Sequence, residues 1–158
     1  PPLTDNGRRQ AKALRSMIDG RQFDGVWSSD LQRAVESARL AWGEARADPR
    51  LRECDFGDLE GCTYEEADTT YGEVFSVFRA FQAPGGESHQ EMRARVSEFV
   101  RGLQSGRHLL FVHGGVIRIL TQDLGIDRFL PTGTIVGLDW GAGEILFVRE
   151  PGNTAAAD

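Results

Sequence analysis

Leu109-Leu110-Phe111-Val112-His113-Gly114-Gly115-Val116-Ile117-Arg118 is the stretch on which the fold turns. Four apolar residues in a row, without polar alternation, suit a strand covered on both faces, as in a parallel sheet. The run stops at a histidine. Two glycines then let the backbone turn tightly and let another group approach it closely, and an amphipathic helix over about 116–124 follows. Gly25-Val26-Trp27-Ser28 repeats the arrangement: a short buried strand, then a helix from about Leu31 to Trp42 with Ser29 or Asp30 as its cap. Strands that alternate with helices argue for a layered α/β domain built on a largely parallel sheet.

Outward from these two units the punctuation is local. A first helix is expected from about Asn6 to Asp19, capped near Thr4 or Asp5, with Gly20 just past its end. Ala11, Leu14 and Ile18 share one of its faces. Thr63-Tyr64-Glu65-Glu66 and Ser88-His89-Gln90-Glu91 both have the spacing of a capping box. The second opens a helix with Met92, Val96, Phe99, Val100 and Leu103 on its apolar face. Residues 43–62 read as irregular. Ile135–Asp139, a Trp140-Gly141-Ala142-Gly143 turn and Glu144–Val148 read as a hairpin. Residues 1–150 are expected to form one domain and 151–158 a frayed tail. Pro1-Pro2-Leu3-Thr4 is a turn leading into a helix rather than a natural beginning for a core domain, so further residues are expected ahead of it.

A chain of 158 residues with 40% hydrophobic and 27% charged residues can build one ordinary globular core. Its formal net charge of -6 argues against nucleic acid and anionic membranes as partners, since both need a cationic face. No apolar run approaches a membrane span of roughly 20 residues, and no signal peptide is visible. Cys54 and Cys62 fit neither a disulfide framework nor a zinc pattern, and read as reduced thiols of a cytoplasmic protein. No metal site and no cofactor are expected; a homodimer stays open.

In open α/β sheets, ligands bind beyond the carboxyl ends of the strands. Two such ends carry polar residues. In Ser28-Ser29-Asp30-Leu31-Gln32-Arg33, the arginine falls in the first turn of a helix, where N–H groups and a fork of guanidinium donors suit phosphate oxygens. An Asp30 cap with a solvated Arg33 is the plainer use of the same residues. His113, at the end of its strand, would hold an anion with help from the Gly114 N–H, or would pack under the loop and hydrogen-bond locally. Arg118, one turn on, is expected to be structural. The loop from Leu51 to Gly61 holds Glu53, Asp55, Asp58 and Glu60, any of which could serve as a general acid if buried. Pro84-Gly85-Gly86-Glu87-Ser88 either lines a pocket or is a turn with an N-cap. A Rossmann-like nucleotide site is disfavoured because no Gly-x-Gly-x-x-Gly follows a strand.

Taken in order, five segments resemble the histidine phosphatase superfamily, the phosphoglycerate mutase-like proteins. They are Pro2-Leu3-Thr4-Asp5-Asn6-Gly7 with Gln10-Ala11; Ser28-Ser29-Asp30-Leu31 with Arg33-Ala34 and Ala38; Leu51-Arg52-Glu53 with Phe56-Gly57 and Glu60-Gly61; Pro84–Ser88; and Val112-His113-Gly114-Gly115 with Arg118. The resemblance implies a three-layer α/β/α sandwich and chemistry through a phosphohistidine. It implies Arg33 as a phosphate clamp, His113 as the second active-site histidine and Glu53 as the proton donor to the leaving oxygen. It assigns no catalysis to Glu87 or Ser88, and His89 departs from the family's pattern at its position. The family nucleophile, the histidine of an Arg-His-Gly triplet on the first strand, is expected ahead of Pro2. His89, His108 and His113 are the three histidines of the sequence, and none lies in such a triplet.

The resemblance points to a phosphomonoester hydrolase acting on a small phosphorylated metabolite, similar to the short phosphatases related to α-ribazole-phosphate phosphatase. The alternative is a phosphoglycerate mutase, which must hold an additional anionic group. Residues 62–83 carry Glu65, Glu66, Asp68 and Glu73 against the single cation Arg79, which suits a less charged leaving group. Phe75, Phe78 and Phe81 could line its pocket or form a helix face. A non-catalytic phosphate-binding domain is the further alternative if no Arg-His-Gly segment exists upstream.

Overall fold

The computed structural model describes residues 1–71 and 77–152. Three short parallel strands, β1 (Gly25–Ser28), β2 (Arg46–Ala47) and β3 (His108–Phe111), lie in the order β2-β1-β3. β1 and β3 run in register from Gly25 opposite His108 to Ser28 opposite Phe111. A separate antiparallel hairpin joins β4 (Ile135–Asp139) to β5 (Glu144–Arg149). Among the described residues β3 pairs only with β1, and β4 only with β5.

Side chains that alternate along a strand face opposite ways, and the two faces of the sheet bury different helices. α1 (Asp5–Ile18) and α2 (Gln32–Ala41) pack Ile18, Ala38 and Ala41 against Phe111, with Val26, Leu109 and Ile135 at the edge of the cluster. Trp27, on the other face, meets Phe99 of α4 (His89–Arg101) edge to face, with ring centroids 5.3 Å apart. There α4 and α5 (Gly114–Thr121) supply Met92, Val96, Val116 and Ile119 to a second core, which Ala67 of α3 (Tyr64–Tyr71) joins. The result is helix, sheet, helix: the three-layer α/β/α arrangement.

Local signals account for most boundaries. The Thr4 hydroxyl accepts the Gly7 N–H at 3.1 Å and starts α1. Ser88 and Glu91 complete a reciprocal capping box on α4, with bonds of 3.1 and 2.8 Å. Thr63 and Glu66 do the same for α3. Two expectations differ in detail. The N-cap of α2 is Leu31, without a side-chain cap, because Asp30 is drawn away to Arg52 and Ser29 Oγ accepts the Leu31 N–H. His108, Leu109 and Leu110 of β3 are half-buried rather than covered on both faces, as a strand with one hydrogen-bonded neighbour allows. His108 is structural: its Nδ1 accepts the Trp27 indole N–H at 3.4 Å while Nε2 faces the Gln104 carbonyl at 2.8 Å.

Phe99 is 2% exposed and joins α4 to the sheet. Phe99→Ala is expected to lower unfolding free energy by about 3–5 kcal/mol, read as a fall in the urea midpoint with an unchanged slope.

Candidate active site

Three parallel strands deliver their carboxyl ends to one edge of the sheet. The Ser29 N–H donates to the Phe111 carbonyl at 2.9 Å, and the Asp48 N–H to the Ser28 carbonyl at 2.9 Å. The segments that leave β1, β3 and β2 therefore stay side by side: Ser29–Arg33, Val112–Gly115, and Asp48–Glu53. Ser28 and Ser29 are buried beneath them. Arg52 clasps Asp30 through two bonds of 2.6 and 2.7 Å, tying the loop after β2 to the loop after β1. That pairing holds the Asp30 carboxyl below its usual range.

Of the four carboxylates in the loop, Glu53 alone is not exposed. Its Oε1 accepts the Cys54 N–H at 2.9 Å and its Oε2 the Gly115 N–H at 3.0 Å. A Cβ at position 115 would collide with the Glu53 carboxyl. The second glycine of the Gly-Gly pair thus serves a close approach, and the approaching group is the carboxyl of Glu53. Asp55 and Glu60 instead accept N–H bonds from Gly57 and Phe56 and shape the loop.

His113 is the N-cap residue of α5 and is 8% exposed. Its Nε2 is buried and has no hydrogen-bond partner among the described residues. Burial first, then the charges of Arg33 and Arg95, push its pKa down to about 4, so the ring is neutral at pH 7. Arg33 is half-buried in the first turn of α2 and forms no ion pair among the described residues. Arg8, Arg50, Arg52, Arg79, Arg95 and Arg118 each face a carboxylate. Arg33 lies near enough for its charge to act on His113, and a guanidinium with no carboxylate among the described residues, near a buried ring nitrogen with no partner there, is chemically suited to an oxyanion.

The arginine that organises this edge belongs to none of the motifs read from the sequence. Arg95 donates to the carbonyls of Arg50, Arg52 and Glu53 at 2.8, 2.7 and 3.2 Å, and to both oxygens of Glu87 at 2.6 and 2.8 Å. It clamps the backbone on which Glu53 rides. A signal for it exists: position 95 falls on the buried stripe of Met92, Val96 and Phe99, where a charge needs a partner. Glu87 is that partner, which gives the Pro84–Ser88 motif a structural task. Gly57, at φ 50°, presses against the backbone of Pro84 and Gly86 and locks the two loops together.

Glu53 lines two hollows among the described residues. The larger, about 460 Å³, is a groove along Arg52, Glu87 and Arg95, whose cations are already paired with Asp30 and Glu87. The other, about 200 Å³, is walled by Phe56, Phe78, Phe81, Met92 and Phe129 and reaches Gly115. Phe78 opens a single 3-10 turn and Phe81 follows it, so the three-residue spacing is not a helix face; Phe75 lies outside the described residues. Arg118 is structural, as expected: it pairs with Asp127 at 2.9 Å and lies over the rings of Phe78 and Phe129. His89 is buried, with Nε2 3.1 Å from Gln122 Oε1 and an edge contact to Phe78.

The family profile described as histidine phosphatase superfamily (branch 1) matches residues 1–136. The zebrafish fructose-2,6-bisphosphatase TIGAR B is 31% identical over 73% of this chain and 48% of its own length. A glucosyl-3-phosphoglycerate phosphatase of Mycolicibacterium vanbaalenii is 32% identical over 87% of this chain and 71% of its own length. A crystal structure of phosphoglycerate mutase from Thermus thermophilus superposes with a TM-score of 0.83 at 39% identity, covering 93% of this chain and 83% of that one. An Escherichia coli K-12 chain described as a candidate α-ribazole-5′-P phosphatase superposes with a TM-score of 0.73 at 25% identity, covering 94% and 82%. The chain spans about half the length of the zebrafish relative.

Two outcomes are expected. Unfolded histidine titrates near 6.5 and folded His113 near about 4, so between those values the unfolded chain binds more protons. Stability is full above pH 6.5 and falls as pH drops toward 4, by up to roughly 3 kcal/mol; His113→Gln removes that part of the slope in urea melts run at several pH values. In a crystal structure of Gly115→Ala, the Glu53 carboxyl is displaced from the Gly115 N–H while the α4 capping box is unchanged.

Proposed function

The chain belongs to the histidine phosphatase superfamily, and on that premise we propose that it is a phosphomonoester hydrolase that works through a phosphohistidine and holds the phosphoryl group between Arg33 and His113. The observation that carries the reading is the buried Nε2 of His113, near Arg33, both without a partner among the described residues, with the Glu53 carboxyl seated two residues along on the Gly115 N–H.

The nucleophile required by this reading is the histidine of an Arg-His-Gly triplet ahead of Pro1. The sheet supports that placement. β3 has an edge without a strand partner among the described residues, and Ile135 of β4 nonetheless packs into the same cluster as Phe111 and Leu109. A parallel strand laid along that edge would end beside His113. Its neutral histidine would attack phosphorus, and the P–O bond to the leaving group would break. Glu53 would protonate the departing oxygen, then take a proton from the water that attacks the phosphohistidine. Arg33, the Nε2–H tautomer of His113 and the Gly114 N–H would hold the non-bridging oxygens, which is stabilisation by fixed donors.

Relatives carry the names of phosphatases and of mutases. Hydrolysis is favoured because residues 62–83 supply four carboxylates and one cation, and that cation, Arg79, is spent on Asp123 and Asp127. A mutase needs spare positive charge for a second anionic group.

The test is phosphoenzyme trapping with the full chain carrying the Arg-His-Gly segment. An acid-labile, base-stable phosphoenzyme is expected from p-nitrophenyl phosphate. Arg33→Gln and His113→Gln lower kcat/KM by about 10²–10³. Glu53→Gln slows alkyl phosphates more than p-nitrophenyl phosphate, whose leaving group needs no proton. A folded protein that never labels contradicts catalysis, and efficient phosphoryl return to 3-phosphoglycerate contradicts hydrolysis.

A further inference from the structure

Arg95 spends every donor of its guanidinium. The group carries its N–H bonds in a rigid planar fork. Nε and one Nη2 bond go to the two oxygens of Glu87 at 2.6 and 2.8 Å. Both Nη1 bonds go to the carbonyls of Arg50 and Arg52 at 2.8 and 2.7 Å, and the remaining Nη2 bond goes to the carbonyl of Glu53 at 3.2 Å. Glu87 takes hold of the next residue along. Its N–H donates to the Asp55 carbonyl at 2.8 Å, and its Oε2 accepts the Asp55 N–H at 3.3 Å. The pair therefore grips the chain on both sides of Glu53.

That grip matters because residues 52–56 belong to no helix or strand. Bonds from other elements set their path, and α4 supplies these. The tolerance at the other end is small. Glu53 Oε2 accepts the Gly115 N–H at 3.0 Å, in a space that a single added Cβ would fill. A backbone shift of about 1 Å would lift the carboxyl off that N–H, and misplacements of this size cost catalysis heavily.

Stability alone is a poor reason for the pair. Arg95 and Glu87 are 20% and 15% exposed, and a largely buried ion pair is often no more stable than apolar residues of the same volume. What it adds is direction, aimed at the peptide of Glu53. Arg95 also acts on the phosphoryl side: after burial and Arg33, its charge helps to keep His113 neutral.

We propose that Arg95 and Glu87 are positioning residues, which act through Glu53 by fixing where its carboxyl meets the leaving oxygen. The proposal rests on the phosphatase reading, in which Glu53 is the proton donor.

The test uses the full chain carrying the Arg-His-Gly segment, with hexyl phosphate and p-nitrophenyl phosphate as substrates. Hexyl alkoxide needs a proton to leave, and nitrophenolate does not. Arg95→Lys keeps the charge that acts on His113 and loses the fork. It is expected to lower kcat for hexyl phosphate by about 10–10², with KM little changed, while p-nitrophenyl phosphate loses a few-fold at most. In a Glu53→Gln background the selective loss is expected to vanish, because the group it acts through is gone. Glu87→Gln, which leaves Arg95 in place, is expected to repeat the pattern more weakly, and thermal melting checks that each variant is folded. Equal losses for both esters, or a selective loss that persists without the Glu53 carboxyl, overturn the proposal. So does failure of both Arg95→Lys and Glu87→Gln to fold, which would make the pair purely structural. In those cases the phosphatase reading survives. If Glu53→Gln itself costs the two esters equally, Glu53 is not the proton donor, and that part of the reading falls together with the proposal.

Discussion

In a parallel ladder every strand delivers its carboxyl end to the same edge, and β2-β1-β3 does so with a register that leaves little freedom. Once Ser28 lies opposite Phe111 and the Ser29 N–H meets the Phe111 carbonyl, the first turn of α2 and the N-terminus of α5 are neighbours. The Asp48 N–H bond to Ser28 then brings in the loop that carries Glu53. Arg33, Glu53 and His113 come from points in the sequence some twenty to sixty residues apart, and the ladder is what brings the segments that carry them side by side.

Two ionic clasps hold that edge where polar groups crowd together. Arg52 with Asp30 is partly exposed, and as a surface pair it contributes little stability by itself; its two short bonds fix geometry. Arg95 with Glu87 is largely buried, and its remaining donors are taken by backbone carbonyls of the Glu53 loop, Glu53 included. Such a pair is strongly destabilising when one partner is lost, because the other remains buried and uncompensated. Against this background of paired charges, Arg33 has no ion pair and His113 Nε2 no hydrogen-bond partner among the described residues, and on that contrast rests the proposal that a ligand is their partner.

Much of the fold is legible because its signals are short-range. The Ser88 and Thr63 capping boxes, the Thr4 cap, the hairpin at 135–149 and the strand at Gly25–Ser28 each depend on residues within a few positions of one another. The resemblance names Arg33, Glu53 and His113 as a set, whereas the residues alone do not separate Glu53 from Asp55, Asp58 and Glu60. That choice is made by the Gly115 N–H, sixty-two residues away. The cap of α2 departs from expectation for the same reason: Asp30 is a good local cap, but its distant partner Arg52 outcompetes the helix terminus. Phe129 leaves no trace in the sequence, since an aromatic residue in a loop before Pro131 gives no sign that it closes a cavity around Arg118.

The position of a bound oxyanion decides whether Arg33 and His113 act together. A crystal structure of the full chain with vanadate or tungstate answers this most directly. The ion is predicted within hydrogen-bond distance of both His113 Nε2 and the Arg33 guanidinium, with Glu53 still on the Gly115 N–H. An ion bound in the groove of Arg52 and Arg95, with His113 and Arg33 untouched, would contradict it.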